Sequence, residues 1–282
     1  MATETIDDWA QLREMLGRGA SAAEVEGFLD TLPAAEVLPA VFHLSTDEQR
    51  SLLAMISAER AAHIVEELPE GYAADLMEVM PVADVAPIVG EMASDDRVDV
   101  LGELSGADAE AILEQLDVED ADEIRRLSSY ESDTAGGLMM TEFAAFPMAA
   151  TIRDVMSTLV DSETEYEFLT VHYVYVVVKR HKLKGVIRIR DLLFTDWDQK
   201  IGSIALPAVT VSPEASLEEL EDFFEEHDFA AVPVVDERDN LLGIVRRRTV
   251  LEAVAEQDLV QWRIVLRARR CLLRGFGSAG FF

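Results

Sequence analysis

The sequence predicts a multidomain chain of mixed α and α+β class: an all-α superhelical array of short helices, followed by two copies of one strand and helix unit. Three observations carry this. Apolar residues recur every twelve positions from Leu32 to Leu116, and a strand, helix, strand, strand, helix order occurs twice after residue 142. The stretch Ser128 to Phe143, SSYESDTAGGLMMTEF, separates the two patterns. With 282 residues, 49% hydrophobic and 28% charged, the chain has room for two folded domains.

Residues 7 to 30 hold two helical patterns, DDWAQLREML and SAAEVEGFLD, with Asp7 and Ser21 placed as N-caps. The repeat then sets in, with Leu32, Leu44, Ile56, Leu68, Met80, Met92, Leu104 and Leu116 at one phase. The residue after each marker begins a new helix or turn: Pro33, Ser45, Ser57, Pro69, Pro81, Ala93, Ser105 and Asp117. Positions three and four before the marker are apolar too, as in Leu52-Leu53-Ile56 and Ile88-Val89-Met92, which makes one apolar face on a three-turn helix. No such helix buries its stripe alone, so the units must stack.

After the Ala135-Gly136-Gly137 turn the period changes to two. Phe143 to Pro147 reads as a strand, Thr151 caps a helix through Ile152, Val155, Met156 and Leu159, and Val171 to Val178 is a strand. A turn at Lys179 to Lys184, a strand Gly185 to Arg190 and a helix from Asp191 follow. The order returns as strand Val209 to Val211, helix Ser216 to Glu226, strand Ala230 to Val235, turn Asp236 to Asn240, strand Leu242 to Arg246 and helix from Thr249. Val177 and Val235, Leu183 and Leu241, Gly185 and Gly243, and Leu193 and Leu251 match at a spacing of 58. The first copy carries an acidic insertion, Asp161 to Glu167. The resulting boundaries are 1–128 for the acidic helical domain, 129–142 for a hinge, 143–206 and 207–257 for the two copies, and 258–282 for a divergent basic tail.

The net charge is −31, and residues 1–142 set 33 acids against 7 Arg, a net of −26. Such a field repels nucleic acid and anionic membrane and concentrates cations. One cysteine, Cys271, excludes an intrachain disulfide and a cysteine-based zinc cluster and suits a reducing cytosol. The acidic start MATETIDDWA is no secretory signal, and the longest apolar run, Tyr173 to Val178, is far short of the ~18 to 20 residues of a spanning helix. Catalysis has no support: the five histidines, His43, His63, His172, His181 and His227, share no helix face, and no nucleophile or phosphate-loop motif occurs.

The junction pattern Tyr130, Glu131, Ala135, Gly136, Gly137, Leu138, Met139, then Thr141, Glu142, Phe143, resembles the one in the cytosolic region of MgtE-type magnesium channels. The likeness runs from about Leu32 to about Gln257. The duplicated unit, with Ala231-Val232-Pro233-Val234-Val235-Asp236 and Leu242-Gly243-Ile244-Val245, resembles a tandem CBS-domain pair. The resemblance implies an N-domain, a CBS pair that dimerises, and in full transporters a membrane pore. It also implies a cytoplasmic chain, on the cytosolic side of the inner membrane where a pore is attached.

Mg2+ wants oxygen ligands and is often bridged by one or two carboxylates. Opposed carboxylates at ~4 Å cost about 1 kcal/mol in water and about 4 at an effective dielectric of 20, so an ion entering between them favours closure. Asp95, Asp96 and Asp99, in SDDRVD, open one repeat helix; the resemblance makes them one side of the metal sites, with Asp228 and Glu252 on the other. Ordinary first-turn acids explain the same spacing. The chain departs from the family at His63, often acidic there, at Thr249, an Asp in the family, with Arg246, Arg247 and Arg248 before it, and at Val260 and Gln261, where acids of a connecting helix are expected. CBS pairs also take adenine nucleotides through a Gly, a Ser or Thr three on and an Asp six on. Here that reads Gly185, Arg188, Asp191 and Gly243, Arg246, Thr249, in which only Asp191 fits, while Arg188 and Arg246 are available to phosphates. Three readings stand: a regulatory Mg2+ sensor, a CBS nucleotide sensor, and a solvated acidic coat adapted to high salt. The tail, with Arg263, Arg267, Arg269, Arg270 and Arg274, reads as an amphipathic interfacial segment or an irregular terminus.

Overall fold

The computed structural model describes residues 8–161, 172–255 and 257. Asp7, most of the acidic insertion, Val171 and the basic tail lie outside them. The chain divides into two units, residues up to Ser129 and residues from Tyr130 onward, and each is described by itself.

Among the described residues the first unit has ten helices: α1 (Asp8–Gly17), α2 (Ala22–Leu29), α3 (Ala34–Phe42), α4 (Thr46–Leu53), α5 (Ala58–Glu66), α6 (Glu70–Glu78), α7 (Val82–Glu91), α8 (Ser94–Glu103), α9 (Gly106–Leu113) and α10 (Val118–Leu127). All eight residues that follow a repeat marker, Pro33 through Asp117, are the N-caps of α3 to α10. Ser21 and Ser45 complete capping boxes with Glu24 and Glu48. The serine backbone N–H and hydroxyl donate to those carboxylates and hold both below the usual glutamate range. Helices pack on the next but one, α5 on α7, α6 on α8, α7 on α9 and α8 on α10, so two twelve-residue units make one turn of a superhelix. The apolar triplets of the repeat fill the core, with Leu52, Leu53, Ile64, Val65, Met77, Val89 and Met92 all buried.

Acids tie distant turns together. The Ser57 N–H donates to Glu26 Oε1 at 2.6 Å and the Ala93 N–H to Glu66 Oε1 at 2.7 Å, so α5 and α8 are each capped from three helices back. Each of the seven arginines of this unit has an acid beside it, among them Arg13 with Glu48, Arg60 with Asp30, Arg97 with Asp120 and Arg125 with Glu110.

In the second unit β1 (Ala145–Pro147) runs parallel to β2 (Tyr173–Val178), which pairs antiparallel with β3 (Lys182–Arg188). Helix α11 (Ile152–Asp161) follows β1, and α12 (Ile189–Leu192) follows β3. The second copy has α13 (Leu217–Glu226), the antiparallel pair β4 (Ala231–Val235) and β5 (Leu241–Arg246), and a helix α14 over 247–255. The duplication extends to backbone detail: the ladder shifts at Val176/Val177 and at Val234/Val235, and His181 (φ 59°) and Asp239 (φ 63°) take the left-handed turn position. The strand expected at Val209 to Val211 is reduced to a single parallel bridge from Val211 to Val234. Pro207 and Pro213 bracket the segment and cannot donate to a ladder.

The lead-in to each copy belongs to the sheet of the other. Met140 exchanges N–H···O bonds of 2.9 Å with Ile244 of β5, and Leu206 exchanges bonds of 3.0 and 2.9 Å with Val186 of β3. This crossing explains the matched glycines, because a Cβ on Gly185 would stand 2.5 Å from the Leu206 carbonyl oxygen and one on Gly243 2.8 Å from that of Met140. The junction is bonded to copy two as well, with the Ala135 N–H on Ala215 O at 2.7 Å, the Gly136 N–H on Pro213 O at 2.8 Å and the Leu217 N–H on Asp133 O at 2.8 Å. A side chain at Gly136 would meet the Tyr130 ring at 2.5 Å, and one at Gly137 the Glu131 oxygen at 2.3 Å. Between the copies Tyr175, Val177, Leu183 and Leu241 form a core with Phe143, Val235 and Ile244 around them.

Candidate functional site

The acidic start of α8 is built into the array. Ser94 and Asp95 are buried, at 0% and 3% exposure, whereas Asp96 and Asp99 are half-buried. Between them Arg97, also buried, turns back on the preceding helix: its Nε donates to Met92 O at 2.5 Å and its Nη2 to Gly90 O at 2.7 Å, with Asp120 3.5 Å from Nη1. One guanidinium thus closes the C-terminal end of α7, where carbonyls lack partners. Glu66, which caps α8, has Oε2 3.9 Å from His63 Nδ1, and that carboxylate raises the imidazole above its ordinary value.

The acids assigned to the opposite side lie in the second unit and face arginines. Asp228, in the loop between α13 and β4, is fully exposed with Arg247 Nη2 4.0 Å from Oδ1. Arg247 itself is fixed, donating to Phe229 O at 2.9 Å and to His227 O, with its guanidinium 5.3 Å from the Phe224 ring centre. Glu252 accepts from Arg248 Nε at 2.8 Å, one turn away on α14. Among the described residues no group of three or more His, Cys, Asp or Glu stands close enough to hold a metal ion.

At the nucleotide motif, Asp191 is the third residue of α12, with Arg188 Nε 2.7 Å from Oδ2 and Arg190 Nε 3.6 Å from Oδ1. Arg188 and Arg246 end β3 and β5 at matched positions. The motif glycines have their packing cause in the crossed lead-ins, so they carry no separate signal for a ligand. Sequence reading missed Tyr175, whose hydroxyl is buried between the copies without a hydrogen-bond partner among the described residues; burial pushes its phenol up. Its signal was the repeated Tyr in YVYVVV, since Tyr173 and Tyr175 share a strand face.

The geometry meets a consistent set of relatives. Residues 28–133 match the family model of the MgtE intracellular N domain, and residues 135–197 and 201–256 each match the CBS domain. The magnesium transporter MgtE of Thermus thermophilus is 37% identical over 141 residues, which is 49% of this chain and 31% of that protein, so the match spans about a third of the relative's length. The crystal structure of the soluble part of a magnesium transporter is 28% identical with a TM-score of 0.79, covering 89% of this chain and 98% of that one. The cytosolic domain of the Mg2+ channel MgtE in complex with ATP is also 28% identical, with a TM-score of 0.75 over 87% of this chain and 99% of that one. No helix among the described residues is long and apolar enough to cross a membrane. Carrying an intracellular N domain followed by a CBS pair, the chain belongs with the cytosolic region of the MgtE-type magnesium transporters.

Proposed function

We propose that this chain is the regulatory Mg2+-sensing region of a magnesium transporter, with no catalytic role of its own. The observation that carries this is the pairing of an acidic helical array, 33 acids against 7 Arg over residues 1–142, with a CBS pair in the order of the MgtE cytosolic region. Carboxylates of the two units, Asp95, Asp96 and Asp99 in one and Asp228 and Glu252 in the other, would supply the hard oxygen donors that Mg2+ takes. Asp228 and Glu252 each have an arginine to displace. Binding stabilises a compact arrangement by mass action. In a full transporter on the cytosolic side of the membrane, that arrangement favours a closed pore. Dimerisation through the CBS pair is supported by apolar residues exposed at matched places in both copies, Leu193 at 61% and Leu251 at 59%, with Phe194 at 88% next to Leu193 in sequence.

X-ray scattering and limited proteolysis across a Mg2+ titration at fixed ionic strength test the reading. The radius of gyration is expected to fall and protection to rise, and Asp95→Ala with Asp99→Ala is expected to abolish both. A particle of constant shape overturns it, and stabilisation by molar KCl without a Mg2+ response supports the salt-adapted coat instead. A second reading, an adenine-nucleotide sensor, draws on Asp191 and on the relative solved with ATP. It expects ATP to raise the melting temperature and Asp191→Ala to remove the rise.

A further inference from the structure

A cavity of about 700 Å³ opens at the hairpin end of the first copy's sheet, lined by Pro147, Met148, Ala149, Val177, Val178, Lys179 and His181. It is separate from the Asp191 region. The register sets Tyr173 opposite Arg188, next to Asp191, and Val178 opposite Lys182, so the two places lie five residues apart along β2, about 17 Å. Its volume suits a small molecule.

The charge around this cavity runs against the rest of the chain. Residues 179–184 read KRHKLK and hold three of the four lysines of a protein with net charge −31. Lys182 is spent on Asp239 of the second copy, at 2.7 Å. Lys179, His181 and Lys184 are exposed and have no carboxylate within 4 Å among the described residues. Among the other described residues bases characteristically stand against acids, as all seven arginines of the array do. The second copy shows that the fold does not require cations here. At the positions matched to Lys179 and His181 it carries Glu237 and Asp239, with Arg238 between them, and Asp236 closes that turn by accepting from the Arg238 and Asn240 N–H groups at 2.8 Å.

We propose that this cavity binds a small amphiphilic anion, a medium-chain acyl carboxylate, with its hydrocarbon chain against Pro147, Met148, Val177 and Val178 and its head on Lys179 and His181. Carbon dominates the lining, as a hydrocarbon chain requires. Met148 is 46% exposed and Pro147 and Ala149 are exposed beside it, so the apolar lining is open to a solute.

Titrating the intact chain with decanoate by calorimetry, with ¹H–¹⁵N spectra recorded alongside, tests the assignment. Saturable binding is expected, with shifts at Met148, Val178 and Lys179. Decanol should bind about tenfold more weakly, and decyltrimethylammonium should not compete. Lys179→Ala with His181→Asn, where Asn tolerates the left-handed backbone at 181, is expected to lower decanoate affinity about tenfold. Ala149→Trp, at an exposed position, is expected to block the cavity while leaving the melting profile unchanged. Equal binding of the three amphiphiles, or affinity unmoved by both variants, overturns the proposal. So does binding to phosphatidylglycerol vesicles without binding to free decanoate.

Discussion

The helical array and the CBS pair solve the same problem, burying short elements that cannot stand alone, by opposite connectivity. In the array a helix of about three turns packs on the helix two units along, and side-chain bonds reach three, so contacts stay within roughly three repeats of sequence. In the pair, Met140 bonds to Ile244 and Leu206 to Val186, so neither copy has a complete sheet without the other's lead-in. A stacked array tolerates local damage, while a crossed pair stands or falls together.

The sharpest way to break that contrast is at the crossing. Gly243→Val would drive a side chain into the Met140 carbonyl, 2.8 Å from the Cβ position, and is expected to abolish cooperative folding of both copies while the helices of the array persist. Denaturant melting followed by hydrogen exchange on each unit measures this; loss of the second copy alone would refute the crossed dependence. Leu52→Ala, at a position with no exposure, is expected to cost about 3 kcal/mol, with exchange protection lost in α4 and its neighbours and unchanged in the CBS pair.

A smaller effect is expected from Arg97→Met, which leaves the Met92 and Gly90 carbonyls without their donor. It should cost about 2 kcal/mol, measured by urea unfolding. The smallest separates the units by pH. His63 is raised above its ordinary 6.5 by Glu66, so its contribution to the array is fully present below that value and is lost as pH rises through the folded value. Asp236 is held below 3.8 by hydrogen bonds from Asn240 and Arg238, so its contribution to the second hairpin is present above 3.8 and is lost as pH falls through the folded value. Melting curves of the array between pH 6 and 8 should therefore slope downward in the parent and flatten in His63→Gln.

The array was legible because its information is local. A period of twelve fixes the apolar stripe and the cap together, so the residue after each marker falls on an N-cap at all eight positions. The pair was legible as a duplication at a spacing of 58 but not as a crossing, since strand partners far apart leave no periodic trace. Gly185 and Gly243 were visible as a matched pair, yet their cause, the approach of Leu206 and Met140, lies more than twenty residues away in one case and a hundred in the other. The acids show the same divide. The i, i+4 spacing of Arg248 and Glu252 can be read directly, whereas Arg247 reaches Asp228 only because β4 and β5 bring the ends of their flanking helices together.

Crossed lead-ins also decide where this protein can be cut. A gene divided at the seam between the copies would leave Met140 on the first fragment and its partner Ile244 on the second, and a border placed before residue 206 would also part Leu206 from Val186. Such halves should be recovered folded only when expressed together, and each would offer the other an open strand edge. Exchange of that edge between neighbouring molecules is then an available route to interlinked dimers.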